Sequence, residues 1–541
     1  MTAHTLRIFN SLTRKIEPFR PADCSRISFY TCGLTVYDFG HIGNFRSFLA
    51  ADVLRRWIES PLCVIEGPRG EPHAGPRRVV HVMNITDVGH MTDDQAADGG
   101  GEDKMALAGQ RLAESKKSGR IPDGADVDPA DPYSVAAFFT RAFIEDATAL
   151  GLRAVIDAER DPTLMPKATD SIGSMIRVIE KLIERGHAYV VGEAGSRVVY
   201  FDVRSFPRYG MLSGNTLDQL KGGAGGRVQA ENQAAKRHPA DFLLWKEDSS
   251  HLMKWPSPWG EGYPGWHIEC SAMAYDRLVE QERGRGVADA VFRKSDPLID
   301  LHSGGEDNIF PHHECEIAQS CCAFNEDPGR SAMARLWFHP RFLMVDGEKM
   351  SKSKGNFYTF RDLLAKGHEA GAIRLELIRT HYRANANFTE QGLKDAARML
   401  ERWRRFRDEA EASSEQGERP EVLDRFAEVM HDDLNVSGAI GEINAWINRT
   451  ENPTRADGAA MQRMDMVLGV LGLKRAEKTA TEIGVFIGVE PDEEIESKLA
   501  ARRDARMAKD FAKADTIRDE LAEKGYQIKD VAGGKVEVRR G

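Results

Sequence analysis

Three groups of residues in this chain have the types and spacing to do chemistry. The first is His41-Ile42-Gly43-Asn44, which falls between a strand-like run and a helical pattern. A helix N-terminus offers free amide groups and a positive dipole end, which suit a phosphate. Gly43 lets a base or ribose lie against the backbone, while His41 and Asn44 can donate to phosphate oxygens as charge develops. Four such residues also describe an ordinary turn. The second group is Lys349-Met350-Ser351-Lys352-Ser353, followed by Lys354-Gly355-Asn356. Lysines and serines on a glycine-ended loop make a cationic clamp, with Lys349 and Lys352 as point charges toward phosphate. An exposed basic loop has the same composition.

The third group is sulfur, imidazole and carboxylate. Cys32 ends the first apolar run, Cys270 lies in Trp266-His267-Ile268-Glu269-Cys270, and His312 and Glu316 lie in Phe310-Pro311-His312-His313-Glu314-Cys315-Glu316. A helix starting after Pro311 puts His312 and Glu316, four apart, on one face. Two thiolates, an imidazole and a carboxylate are a plausible zinc set. Spacing alone does not select it: Cys315, Cys321, Cys322, His267, His302 and His313 compete, and buried cysteines often serve only as small apolar residues.

The elements that must position these groups are legible in outline. Ile27 to Val36 reads as a strand entering a turn at Cys32-Gly33-Leu34. Phe45, Phe48, Leu49, Val53, Leu54 and Trp57 have helical spacing within Asn44 to Ile58. Val79 to Met83 is a short β-branched run, suited to a buried parallel strand. Strand, turn, helix and strand open a doubly wound α/β domain. From Asp146 to about Trp255 the pattern changes, with a helix near Ala168–Arg185 and hairpin strands near Ala188–Val203, so this stretch reads as an insertion. Beyond Phe388 the chain is helical and charged to about Leu473. Pro491-Asp492-Glu493-Glu494 reads as a linker, and residues 496–541 carry 12 Lys+Arg against 9 Asp+Glu in a chain of net charge -10. That balance by itself fits a solvated helix face.

A length of 541 residues implies several cores. Composition is that of an ordinary globular protein, and the acidic balance gives no sign of a nucleic-acid partner, so any such contact needs local patches. Seven scattered cysteines, without a secretion signal, read as thiols or metal ligands in a cytoplasmic protein. No apolar run approaches the roughly 20 residues that a membrane helix needs.

The ordered pair of the first two groups, about 300 residues apart, resembles the signature of class I aminoacyl-tRNA synthetases. Longer motifs resemble the cysteinyl-tRNA synthetase family in the same order: Tyr30 to Asp38, Asn84-Ile85-Thr86-Asp87, Asp241 to Lys246, Pro264 to Met273, Gly304 to Glu316, Asp346 to Ser353, His381-Tyr382-Arg383 and Asp432 to Asn435. They span nearly the whole chain. The resemblance implies zinc on Cys32, Cys270, His312 and Glu316. It also implies ATP, with Mg2+, at His41, Gly43, Asn44, Asp307, Lys349 and Lys352, and a cysteine pocket at Thr86 and Trp266. Anticodon contacts would come from Arg506, Phe511, Asp515 and Asp530. Leu34, Asn44, Arg341, Phe511 and Val538 depart from the usual family pattern; at 511 and 538 the family has tryptophan, and a phenylalanine can still stack on a base.

The implied reaction is activation of L-cysteine by ATP and its transfer to the 3' end of tRNA(Cys), by a monomer. The implied layout is a Rossmann-type catalytic domain (1–145 and 256–335) with a connective insertion (146–255). A stem-contact region with the clamp loop (336–395), a helical bundle (396–480) and a small α/β anticodon-binding domain (490–541) follow. Two other readings use part of this evidence: a cysteine ligase for an amino-sugar, which would end soon after the stem region, and a zinc-containing tRNA-binding paralogue without catalysis. The terminal motifs argue against the first, and intact His41, Lys349 and Lys352 against the second.

Overall fold

The computed structural model describes residues 4–90, 102–117, 126–222, 236–284, 297–330, 332–351, 355–474, 478–481, 483–487, 489, 491–531 and 535–540. Its centre is a four-stranded parallel sheet in the spatial order Ala334–Phe338, Ile299–Ser303, Arg26–Thr31, Arg78–Met83. These strands are short, apolar and covered on both faces, as parallel strands must be. The chain leaves the first strand, runs through the helix Ile42–Glu59 and returns as the strand Arg78–Met83. The third strand then forms on the opposite side of the first, so the strand order reverses between Arg26–Thr31 and Ile299–Ser303. Registry is kept across the sheet: Met83 faces Thr31, Thr31 faces Ser303, and Ser303 faces Phe338. All four carboxyl ends therefore reach one rim.

The first strand is shorter than its apolar run. Beyond Thr31 the backbone turns away, and Thr35 and Val36 bridge to Thr86 instead. The helix after it has the expected buried face, with Phe45, Phe48, Leu49, Val53, Leu54 and Trp57 inside.

Between the second and third strands lies an antiparallel sheet in the order Gly262–Pro264, Phe242–Glu247, Val198–Phe201, Ala188–Val191. Its edge strand extends this unit beyond residue 255, because Tyr263 and Pro264 pair with Lys246 and Trp245. The helix Ile172–Glu184 packs near it, preceded by a short turn over Thr169–Ser171. A small sheet joins Glu348–Lys349, Leu343–Val345 and Ala386–Phe388. The helices Glu390–Ala412, Val422–His431, Val436–Arg449 and Arg455–Leu468 follow.

The terminal unit corrects one expectation. Its sheet, in the order 478–480, Gly484–Ile487, Val536–Arg540, Tyr526–Asp530, starts before Pro491. The segment Pro491–Glu494, expected to be a linker, opens a helix instead. Asp492 accepts hydrogen bonds from the amides of Glu494 (2.8 Å) and Ile495 (3.3 Å), which satisfies two of the orphan donors of Glu493–Met507. This unit has its own core of Phe486, Ile495, Leu499, Ile517, Leu521, Val536 and Val538. Val538 is fully buried there. No helix among the described residues is long and apolar enough to cross a membrane.

One buried ion pair ties the sheet to the helical region. Asp52, on the inner side of the Ile42–Glu59 helix, accepts from Arg374 (2.6 Å), Arg56 (2.7 Å) and the Arg153 amide (2.8 Å). Arg374 also donates to the carbonyls of Leu468 (2.7 Å) and Leu150 (2.9 Å). Burial alone would raise the Asp52 pKa, but Arg56 and Arg374 more than reverse this and hold it well below the usual range. Asp52→Ala leaves a buried guanidinium unpaired, which costs about 3–5 kcal/mol. The denaturant midpoint of the catalytic unit should fall accordingly; an unchanged midpoint would refute the role. Because the folded-state pKa is depressed, this contribution is complete above the ordinary carboxylate pKa of about 4 and fades as the pH drops below it.

Candidate metal and nucleotide site

The rim of the parallel sheet supplies the site. Immediately beyond the aligned strand ends come Cys32, Asn84, Gly304 and His339. Two helices converge on them: Trp266–Tyr275, carrying Cys270, and Glu314–Phe324, carrying Glu316, with His312 in the turn just before. Two sets of four donor atoms lie within 4.8 Å of one another, and all are buried: Cys32, Cys270, His312 and Glu316, and Cys32, His302, His313 and Glu316. The first set is the one implied by the sequence.

Its geometry suits a metal. The two sulfurs are 3.8 Å apart. Thiolates about 2.3 Å from a shared tetrahedral centre would be separated by about 3.8 Å. Glu316 Oε1 lies 2.9 Å from His312 Nε2 and 3.4 Å from Cys32 Sγ. The expectation that His312 and Glu316 share a face therefore holds even though His312 precedes the regular helix.

The electrostatics of these groups are interdependent. Burial raises the Cys32 thiol well above its ordinary value, while donation from Cys32 brings Cys270 down to about 7. Burial opposes a charge on His312, yet Glu316 and Cys270 overcome it and raise His312 to about 10. Two sulfurs and a carboxylate, all excluded from water, fit a divalent cation, which can offset their charge in a way that one imidazolium cannot.

A second layer of imidazoles surrounds the donors. His302 Nε2 is 2.9 Å from Glu316 Oε2, and His313 Nε2 is 3.3 Å from Cys32 Sγ. His313 Nδ1 meets His339 Nε2 at 2.7 Å, and His339 Nδ1 meets Ser11 at 2.8 Å. His267 Nδ1 lies 3.0 Å from His312 Nδ1. Burial lowers the pKa of His267, His313 and His339, which favours their neutral form. Such contacts fix the orientation of ligating groups. Trp266 is half-buried and stacks on His312 with ring centroids 4.3 Å apart. Thr86 is held at the same rim, its amide 3.1 Å from the Leu34 carbonyl and its own carbonyl 3.0 Å from the Val36 amide.

The two segments expected at phosphate, the His41–Asn44 turn and the stretch after the clamp, meet each other. His41 caps the Ile42–Glu59 helix: its Nδ1 accepts the amides of Gly43 (3.1 Å) and Asn44 (3.2 Å), and Asn44 Oδ1 accepts the His41 amide (3.1 Å). An Nδ1 used as acceptor places the ring proton on Nε2. Asn44 thus has a positioning function, as the third residue of a reciprocal cap. The segment after the clamp comes back against this turn. His41 bridges to Thr359, Ile42 donates to the Tyr358 carbonyl (3.0 Å), and Phe357 packs edge-on to His41 at 5.3 Å. A Cβ on residue 43 would be 2.7 Å from the Met350 methyl and 2.9 Å from the His41 ring, so glycine permits this approach.

Asn356 braces the base of the clamp, accepting the Ser351 amide at 2.8 Å and donating to the Lys349 carbonyl at 3.3 Å. Lys349 is exposed, with its ammonium 5.7 Å from the Phe342 ring centroid. Lys352 lies outside the described residues. Asp307 is exposed at the rim, beyond the Ile299–Ser303 strand.

The four terminal candidates are divided. Asp530 pairs with Arg506, and also with Arg502 at 2.8 Å; Arg502 donation, aided by Arg506, brings it down to about 2. Asp515 pairs with Arg518 at 3.0 Å, and Phe511 is 59% exposed at the start of the Phe511–Glu523 helix. Sequence reading missed Arg502, although its i,i+4 spacing from Arg506 signals a shared face. It also missed Phe357 and Thr359, whose approach to His41 no local pattern announces.

Residues 18–398 match the family described as tRNA synthetases class I (C) catalytic domain, and residues 490–539 match the cysteinyl-tRNA ligase anticodon binding domain. A cysteine–tRNA ligase of Salinibacter ruber is 38% identical over 578 residues, covering 100% of this chain and 99% of that protein. A cysteine–tRNA ligase of Halorhodospira halophila is 38% identical, covering 98% of each. Among solved structures, the Agrobacterium radiobacter K84 LeuRS of a ternary complex with tRNA and LeuAMS has a TM-score of 0.51 at 12% identity, covering 96% of both chains, which shows a shared fold.

Replacing Cys270 by Ser removes one of two sulfurs from the four-donor set. Purified Cys270→Ser should carry much less zinc than the unmodified chain after identical dialysis, by elemental analysis. Full zinc occupancy in that variant would exclude Cys270 as a ligand.

Proposed function

The chain belongs to the cysteine–tRNA ligase family of class I aminoacyl-tRNA synthetases, and on that premise we propose how its residues carry out the reaction. L-Cysteine and Mg·ATP give cysteinyl-adenylate and pyrophosphate, and the terminal ribose of tRNA(Cys) then takes the cysteinyl group. The observation that carries this reading is the meeting of the His41–Asn44 turn with the clamp segment, beside a buried four-donor cluster at one sheet rim.

Zinc on Cys32, Cys270, His312 and Glu316 would supply a strong bond to a thiolate and a weak one to a hydroxyl. The chain's own residues do the rest by positioning and charge. His41 donates from Nε2 toward the phosphates while its Nδ1 holds the cap. Asn44 keeps His41 in that orientation, and Gly43 leaves space for the nucleotide. Lys349 and Lys352 stabilise the charge that develops on the departing pyrophosphate, and Asp307 faces the nucleotide from beyond the Ile299–Ser303 strand. Trp266, stacked on His312, and Thr86 enclose the amino acid. In the terminal unit, Arg506 and Asp530 form a paired donor and acceptor for a base edge, with Phe511 exposed for stacking and Asp515 as a further acceptor. The enzyme is read as a cytoplasmic monomer.

Three outcomes test this. Lys352→Ala should slow adenylate formation in single-turnover measurements far more than it weakens cysteine binding, and equal rates would remove Lys352 from the mechanism. Truncation after residue 474 should leave ATP–pyrophosphate exchange largely intact and impair tRNA charging; full charging would make the terminal unit a passive cap.

Cysteine and serine differ by sulfur for oxygen, and shape discriminates such small groups by only about 1–3 kcal/mol. Metal removal should therefore abolish the preference for cysteine, with no editing activity in the insertion. A metal-free enzyme that still strongly preferred cysteine would overturn the assignment.

A further inference from the structure

Asn84 is fully buried at the carboxyl end of the Arg78–Met83 strand, where its side chain adds a link between the Cys32–Gly33 turn and Thr86 to the backbone bridge at Thr35 and Thr86. Its Oδ1 accepts the Gly33 amide at 2.9 Å, next to Cys32. Its Nδ2 donates to Thr86 Oγ1 at 3.1 Å. The Cys270 sulfur lies 3.8 Å from the same Oδ1. The orientation of the amide is determined by its partners: an N–H of Gly33 can only donate, so the oxygen must face it and the NH2 must face Thr86. The approach is close enough that a Cβ on residue 33 would collide with the Asn84 carbonyl, which accounts for glycine there.

We propose that Asn84 is a positioning residue for cysteine recognition, holding the Thr86 hydroxyl at a fixed distance and orientation from the Cys32–Gly33 turn. The inference rests on the reading of Thr86 as part of the cysteine pocket and of Cys32 as a zinc ligand. Thr86 Oγ1 accepts from Asn84 with one lone pair, which fixes one of its hydrogen-bonding directions before substrate arrives. The Cys32 side of the pocket sets where a substrate sulfur sits, and Thr86 meets the polar end of the same small molecule. One side-chain amide therefore sets the spacing between the two ends. Asparagine is suited to this because it has an acceptor and a donor on one planar group, with no charge beside the sulfurs.

The test compares zinc-loaded Asn84→Ala, Thr86→Val and the double variant by titration calorimetry with cysteine, alongside metal content and the KM for ATP. Asn84→Ala should weaken cysteine binding about tenfold, the scale of one buried hydrogen bond left unmade. Zinc content and the KM for ATP should stay within twofold of the unmodified enzyme. Because Asn84 acts through Thr86, the double variant should bind cysteine no worse than the weaker single one. Unchanged cysteine binding in Asn84→Ala, an equal loss for ATP, or losses that multiply in the double variant would each overturn the proposal. If Thr86→Val alone binds cysteine normally, the pocket reading itself fails; if Thr86→Val weakens binding and Asn84→Ala does not, only the Asn84 inference fails. Should the alanine variant not fold, Asn84→Ser keeps a polar atom toward Gly33 without the reach to Thr86 and gives the same comparison.

Discussion

In a parallel sheet whose strand order reverses, the connections on either side of the reversal leave in opposite directions, and the strand ends beside it are left uncovered. Here the reversal lies between Arg26–Thr31 and Ile299–Ser303, and registry brings Met83, Thr31, Ser303 and Phe338 level. The donor cluster, Thr86 and the His41–Asn44 turn hang from this line or from a helix that faces it. Backbone beyond a strand end has lost its ladder partners, so it must find other ones. Gly33 finds Asn84, Thr86 finds Leu34 and Val36, and Cys32 still reaches the Ser303 carbonyl at 3.0 Å. The site is built from these replacements.

Burial then determines how the donor cluster behaves. Two thiols, a carboxylate and several imidazoles share a volume without water, where an isolated charge is costly and a paired one is strongly coupled. That is why His312 and Glu316 sustain each other's charge, while His313 and His339, surrounded by other imidazoles, are pushed toward neutrality. The outer histidines act on the donors as hydrogen-bond partners with fixed orientation. Trp337, stacked on His302 at 4.5 Å, seals one side of them.

The nucleotide side follows different physics. Lys349 and Asp307 are exposed, and Asn356 braces the base of the clamp through Ser351 and Lys349. A clamp for a leaving group must move, and its attraction is electrostatic and needs no packed core. The terminal unit has a separate core, and its proposed reading groups lie on the surface, where they can meet a nucleic acid despite the acidic balance of the whole chain.

Much of this was legible in the residues themselves. Periodicity gave the Ile42–Glu59 helix and its buried face because 3.6-residue spacing is a local property of the chain, and the β-branched run at Val79–Met83 gave a buried parallel strand for the same reason. The i,i+4 pair His312 and Glu316 could be placed on one face, since helix geometry needs no tertiary information. Resemblance selected Cys32 and Cys270 from seven cysteines, which spacing could not, because 238 residues separate them and only the fold closes that distance. The helix start at Asp492 was misread as a linker from its Pro-Asp-Glu-Glu composition, although its signal is local: the Asp492 carboxylate caps the amides of Glu494 and Ile495. Local periodicity and the motifs determined which elements form and which chemistry they carry. Tertiary structure decided which donors share a site, that the clamp segment packs on His41, and that the Asn84 amide reaches Gly33, because those contacts exist only once the sheet brings its strand ends to a common rim.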